Sequence, residues 1–158
     1  MTGATRLLAR RRGDPPPDTL RDIVVVLRPD SAASRELLTA ARAAGGSVTV
    51  VLPLKIHGYS LGMPNPGLMP TAKERSAANA AITTTVGQLR SAGVDVDGQI
   101  VVTRHAHRAI ARIVRRRGAS RVLLEPNTAS RFRRFIEGDL QRQLVRRLGR
   151  TVSIDTAV

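Results

Sequence analysis

Arginine is the residue that repeats with a chemically useful spacing in this chain. Arg104, Arg108, Arg112 and Arg116 recur every four residues, with Arg115 and Arg117 beside them. In an α-helix that rhythm gathers the guanidinium groups into one stripe. Arg142 and Arg146 repeat it further on, with Arg147 and Arg150 close by. A solvated helix face usually mixes signs, and here acids are almost absent. The expected surface is one for polyanions, drawn from Arg104, Arg108, Arg112, Arg116, Arg131, Arg134, Arg142 and Arg146. Partners of suitable charge are ribosomal or other RNA, DNA, an anionic membrane or an acidic protein. Tyr59, Phe132 and Phe135 are the only aromatic residues of the Phe, Tyr and Trp types. Stacking on single-stranded bases is therefore not expected, and backbone or shape contacts would dominate.

Other chemistry is thinly represented. Cysteine is absent, which excludes a disulfide framework, a thiolate metal site and a cysteine nucleophile. His105 and His107 are two residues apart at the expected start of a helix, and His57 is in a long loop. That spacing gives no helix-face pair, whereas a metal needs three or four convergent ligands. Arg28-Pro29-Asp30-Ser31 follows the first strand where a PP-loop pyrophosphatase would carry a glycine-rich SGGxDS. Walker-type, nucleophile-elbow and zinc-protease motifs are missing. No catalytic set is visible, and the chain is expected not to be an enzyme.

The length, 158 residues, suits one domain. The net charge is +14, and only Lys55 and Lys73 contribute lysine to it. Charge is unevenly placed. Asp22 to Thr103 is nearly neutral, with seven basic and six acidic residues, whereas Arg104 to Arg150 holds fourteen arginines against Glu125, Glu137 and Asp139. Residues 1–20 read as a flexible tail with Arg6, Arg10, Arg11, Arg12 and the Pro15-Pro16-Pro17 run. No apolar run approaches the ~20 residues of a membrane helix, and no signal peptide is evident. A cytoplasmic location is expected.

Residues 21–158 read as alternating strands and helices. Ile23 to Leu27 is an unbroken apolar run, as in a parallel strand covered on both faces. Ser31 or Ser34 can cap a helix that runs to about Ala44 and stops at Gly45-Gly46. Ser47 to Leu54 is a second strand, and Pro53 to Pro70 a long irregular loop. Thr71 with Glu74 forms a capping box for a helix to about Ala92. Strands follow at Gln99–Thr103, Arg121–Leu124 and Thr151–Ala157. Helices follow at His105–Arg117, with Ala109, Ile110, Ile113 and Val114 inward, and at Asp139–Leu148, with Leu140, Leu144, Val145 and Leu148 inward. Strict alternation of this kind predicts an α/β fold with one doubly wound parallel sheet. With strand order 3-2-1-4-5, right-handed crossovers put the third and fourth helices on one face, so their arginines merge.

Several stretches resemble the universal stress protein family over roughly residues 20–157. Ala109-Ile110 through Gly118-Ala119-Ser120-Arg121-Val122-Leu123-Leu124 is similar to the family's helix, its GAD turn and the strand that follows. Gly138 is placed like the last glycine of the family's phosphate loop, G-x-x-G, nine residues, G-S/T. Asp30 is placed like the acidic residue that contacts the nucleoside in members that bind ATP. The resemblance implies the five-stranded fold and a nucleotide site spanning Asp30, Thr128, Ser130, Gly138 and Asp139. It also implies that the site is degenerate. Glu125 and Thr128 stand at the first two glycine positions, Asp139 stands at the Ser/Thr position, and Arg104 replaces a glycine near the nucleotide. Thr128 brings bulk where backbone N–H groups should approach phosphate. Glu125 and Asp139 bring negative charge. Arg131, Arg133 and Arg134 lie in the same loop and could hold anions differently.

The resulting expectation is a non-enzymatic binding or regulatory protein with no required cofactor, ATP being disfavoured. Family members commonly pair through the last strand, so a homodimer at Thr151–Asp155 is expected. The alternative is a nucleic-acid- or ribosome-associated protein that uses the arginine face and tail. A nucleotide-handling enzyme of the wider adenine-nucleotide α-hydrolase-like group is the least favoured reading.

Overall fold

The computed structural model describes residues 22–29, 32–56, 68–125 and 139–156. In chain order the elements are β1 (Ile23–Val26), α1 (Arg35–Ala43), β2 (Val48–Lys55), α2 (Ala72–Ser91), β3 (Val96–Thr103), α3 (Ala106–Arg117), β4 (Arg121–Leu124), α4 (Asp139–Leu148) and β5 (Ser153–Thr156). The sheet is parallel, ordered β3-β2-β1-β4-β5, as the alternation predicts.

The unbroken valine run of β1 is explained by period-two alternation between two covered faces. Ile23, Val25 and Leu27 pack with Leu37 and Ala41 of α1 and Ala78, Ala81 and Leu89 of α2. Val24 and Val26 pack with Ile110, Ala111, Ile113 and Val114 of α3 and Leu144 and Leu148 of α4. Helices α3 and α4 thus share one face, as the crossover rule requires. Each fully buried Val, Leu or Ile contributes about 1.5–3 kcal/mol relative to exposure, so both layers hold the sheet.

The helix signals act as read. Ser34 caps α1, its Oγ accepting the Leu37 N–H at 3.2 Å. At the start of α2, Thr71 Oγ1 accepts the Glu74 N–H at 3.2 Å while Glu74 accepts the Thr71 N–H at 2.7 Å. Gly118 ends α3 in the left-handed region with φ +63°, where a side chain would be strained. Buried Thr85 of α2 is satisfied by the Ala33 N–H at 3.3 Å, which ties α1 to α2.

Several boundaries differ from the sequence reading. Pro53, which that reading places both in the second strand and in the following loop, belongs to β2, which runs on to Lys55. Leu27 N–H reaches Val51 O, so alternate β2 residues face β1, and Pro53 would be the next to do so. β1 has ended by then, so the N–H that proline lacks is not needed. β3 begins at Val96 rather than Gln99. Asp97 and Gly98 are already in the strand, and a Cβ at Gly98 would lie 2.7 Å from Ile82 Cγ2 and 2.9 Å from Val86 Cγ2. Glycine there lets α2 lie directly on the strand. β5 begins at Ser153 because Gly149–Thr151 form a 3-10 turn. Residues 1–21 and 57–67, including the expected tail and His57, lie outside the described residues, as does the possible cap Ser31.

Candidate functional site

In an open parallel sheet the place for a ligand is the crevice beyond the strands' C-terminal ends where the chain reverses its winding. In this sheet that point lies between β1 and β4. Glu125 follows β4 directly, its N–H bound to Val26 O at 3.1 Å. Its two carboxylate oxygens both accept the Ser34 N–H, at 3.1 and 3.2 Å. The free N–H at the start of α1, the positive end of the helix, is thereby met by the protein's own anion. Burial pushes the Glu125 carboxyl above its ordinary range. The N–H and hydroxyl of Ser34 and the charge of Arg28 pull it back, and Glu36 adds to the upward push. Sequence reasoning marked Glu125 as a charge in the phosphate loop, and its described partner is instead the cap of α1. The acid could be read from the sequence, but its contact with Ser34, ninety-one residues away, is tertiary.

Of the other expected nucleotide-site residues, Asp30, Thr128, Ser130 and Gly138 lie outside the described residues. Asp139 is the first residue of α4.

Arg108, Arg112 and Arg116 of α3 and Arg142 and Arg146 of α4 are exposed on the same side of the sheet. None pairs with an acid among the residues whose side chains are described. Arg104 is exposed but is not part of the helical stripe. The His105 backbone is not helical, with φ −125° and ψ 76°, and the helix begins at Ala106. Arg131, Arg133 and Arg134 lie outside the described residues.

Among the described residues from Arg104 onward, three arginines are engaged within the fold. Arg115 donates to Arg147 O at 2.7 Å, clamping α3 to the carbonyl end of α4, where a cation is favourable. Arg117 pairs with Asp97 of β3. Arg121 Nε meets Asp155 Oδ2 at 2.7 Å, joining β4 to β5. The Arg121 hydrogen bond first, and that of Ser153 second, hold the Asp155 carboxyl below its ordinary range. Composition showed these residues as part of a charge excess. Only the strand register reveals their partners.

Val145 was expected inward but is 50% exposed. Leu144 and Leu148 take the core-facing line of α4, and Val145 lies ~100° around the helix from Leu144. It lines a shallow depression with Gln141, Arg142 and Arg146. His105 and His107 meet edge to face, ring centroids 6.0 Å apart. Among the described residues no His, Asp and Glu cluster suits a metal ion, and no helix is long and apolar enough to cross a membrane.

No protein-family model matches the chain, and no curated protein matches it in sequence. Solved structures do match. A universal stress protein from Archaeoglobus fulgidus superposes with a TM-score of 0.59 at 16% identity, over 87% of this chain and 93% of its own. The universal stress protein from Archaeoglobus fulgidus in complex with dAMP gives 0.57 at 16%, over 87% and 98%. A universal stress protein in complex with cAMP gives 0.60 at 14%, over 89% and 100%. At such identities the shared property is architecture. Strand order, helix placement and these superpositions together give the chain the universal-stress-protein fold.

Proposed function

We propose that this chain is a non-enzymatic binding protein on the universal-stress-protein fold, with a nucleic-acid backbone, RNA foremost, on its α3/α4 face. The observation that carries this reading is the set Arg108, Arg112, Arg116, Arg142 and Arg146. All are exposed, all lie on one side of the sheet, and none is paired with a described carboxylate. Guanidinium groups this dense repel one another, and a polyanion relieves the repulsion while releasing its own counterions. A homodimer joined at a sheet edge is part of the reading, β5 being the edge to which the sequence points.

Binding to duplex RNA, followed as salt rises, tests it. With roughly five phosphate contacts, affinity should fall about 10²–10³-fold between 50 and 200 mM salt. The combined change Arg108→Glu, Arg112→Glu and Arg116→Glu should abolish binding while the circular dichroism stays the same. Equal affinity of the two folded proteins would overturn the proposal.

A nucleotide in the crevice is the second reading, favoured by neighbours in complex with dAMP and cAMP. Glu125 at the start of α1 argues that any such site is weak toward triphosphates. Calorimetry with ATP and Mg²⁺ should give weak or no binding, and a low-micromolar dissociation constant would refute that expectation. ATP turnover by pure protein would remove the non-enzymatic part of the reading.

A further inference from the structure

By spacing, Arg115 belongs to the stripe of α3. It follows Arg108 by about two turns of helix and points within ~20° of it. Its guanidinium nevertheless turns to the neighbouring helix, donating to Arg147 O at 2.7 Å. That carbonyl is among the last four of α4, which have no partner within the helix. Arg117 lies ~200° further round the last turn of α3 and pairs with Asp97 near the start of β3. The two bonds reach to opposite sides. The sheet runs β3-β2-β1-β4-β5, with α3 against β1, β2 and β3 and α4 against β5. Ile110, Ile113 and Val114 seat α3 on the sheet. The two ties then fix its roll about its own axis and its distance from α4. Roll is the motion that would turn Arg108 and Arg112 away from Arg142 and Arg146.

We infer that Arg115 and Arg117 are positioning residues for the polyanion face. They hold the α3 cations in place beside those of α4 and do not themselves contact phosphate. The inference rests on the proposed function and deepens it. A partner with regularly repeating charges engages both helices only when their arginines stand together. Its apparent dissociation constant is the intrinsic one divided by the fraction of molecules so arranged. Loss of the ties lowers that fraction and removes no phosphate contact. Loss of Arg108 or Arg112 removes a contact outright. The salt dependence of binding counts contacts, so affinity and salt slope together separate the two roles. Asp97 separates them a second way. As the partner of a positioning residue it supports binding, although its own charge repels a polyanion.

Two double variants that remove the same charge make the test, against duplex RNA and with circular dichroism as the folding control. Arg108→Gln with Arg112→Gln should weaken binding and lower the slope of log affinity on log salt by about 1.5–2. Arg115→Gln with Arg117→Gln should weaken binding roughly three- to tenfold at fixed salt and leave the slope unchanged. Asp97→Asn makes the chain more positive and releases Arg117. It should nonetheless weaken binding roughly two- to fivefold, the scale of one exposed ion pair. Wild type gives a reading that needs no variant to fold. Bound RNA should protect Arg108 and Arg112 from an arginine-directed dicarbonyl reagent and leave Arg115 and Arg117 as reactive as before. A lowered slope or unchanged affinity in the Arg115 and Arg117 variant would overturn the inference and leave the polyanion face standing. So would equal or tighter binding by Asp97→Asn, or protection of Arg115 and Arg117. A wild type without salt-dependent binding would overturn both.

Discussion

The two sides of the sheet are built on the same aliphatic physics and end in different surfaces. Helices α1 and α2 carry five basic and two acidic residues over their twenty-nine positions, whereas α3 and α4 carry eight arginines and one acid over twenty-two. Underneath, the first pair contacts the sheet through Leu37 and Leu89 together with the small residues Ala41, Ala78 and Ala81, with Gly98 letting α2 come close. The second pair uses Ile110, Ile113, Leu144 and Leu148. Helix α3 therefore does two separable jobs. One stripe anchors it, and the opposite stripe concentrates charge that the fold does not need.

The comparison is broken most sharply by Leu144→Ala. Leu144 is fully buried beneath the arginine face, and its truncation should cost about 2–5 kcal/mol in denaturant unfolding. Reversing Arg108, Arg112 and Arg116 should move stability by only about 0.5 kcal/mol. Equal losses would mean that charge and core are not independent there.

Next in size is Gly98→Val on the opposite side. Ile82 and Val86 are β-branched and stiff in a helix, so their methyls cannot swing clear of a new side chain. About 1–3 kcal/mol of overpacking should result. A neutral outcome would show that α2 rides more loosely on the sheet than the α3/α4 layer does.

The smallest effects depend on pH and compare the acid facing α1 with the acid clasping β5. Glu125 has a raised carboxyl pKa, so its favourable contribution is complete below the ordinary carboxyl range and is lost as pH rises through the raised value. Glu125→Gln should therefore match or exceed wild-type stability at neutral pH and flatten the profile just above the ordinary range. Asp155 has a lowered pKa, so its contribution is present above the ordinary range and is lost as pH falls through the lowered value. Asp155→Asn should be slightly less stable at neutral pH, the difference closing in acid. Urea melts across that interval check both signs.

Much of this architecture can be read from local pattern. The buried strands are short Val- and Leu-rich runs, the Thr71–Glu74 box marks the helix it caps, and i, i+4 spacing exposes Arg108, Arg112 and Arg116 together. What cannot be read depends on where a neighbour stops or reaches. Pro53 looks like a loop residue until β1 is seen to end beside it. Gly98 falls ahead of a strand read from Gln99 until α2 is seen to press on it. Glu125 looks like a misplaced phosphate-loop residue until Ser34 arrives from the other end of the chain. Arg104 fits the four-residue rhythm, yet the helix begins two residues later.

The overhang of β2 past β1 shapes what the crevice can recognise. Beyond Val51, β2 runs on for Leu52–Lys55, a step of about 13 Å at ~3.3 Å per residue. The crevice above β1 and β4 is thus bounded on one side by a ledge of backbone. Pro53 presents a carbonyl to that side and has no N–H to offer. The next residue turned the same way is Lys55, whose N–H is a donor. A guest lying along the ledge would therefore meet an acceptor first and a donor only one step further out.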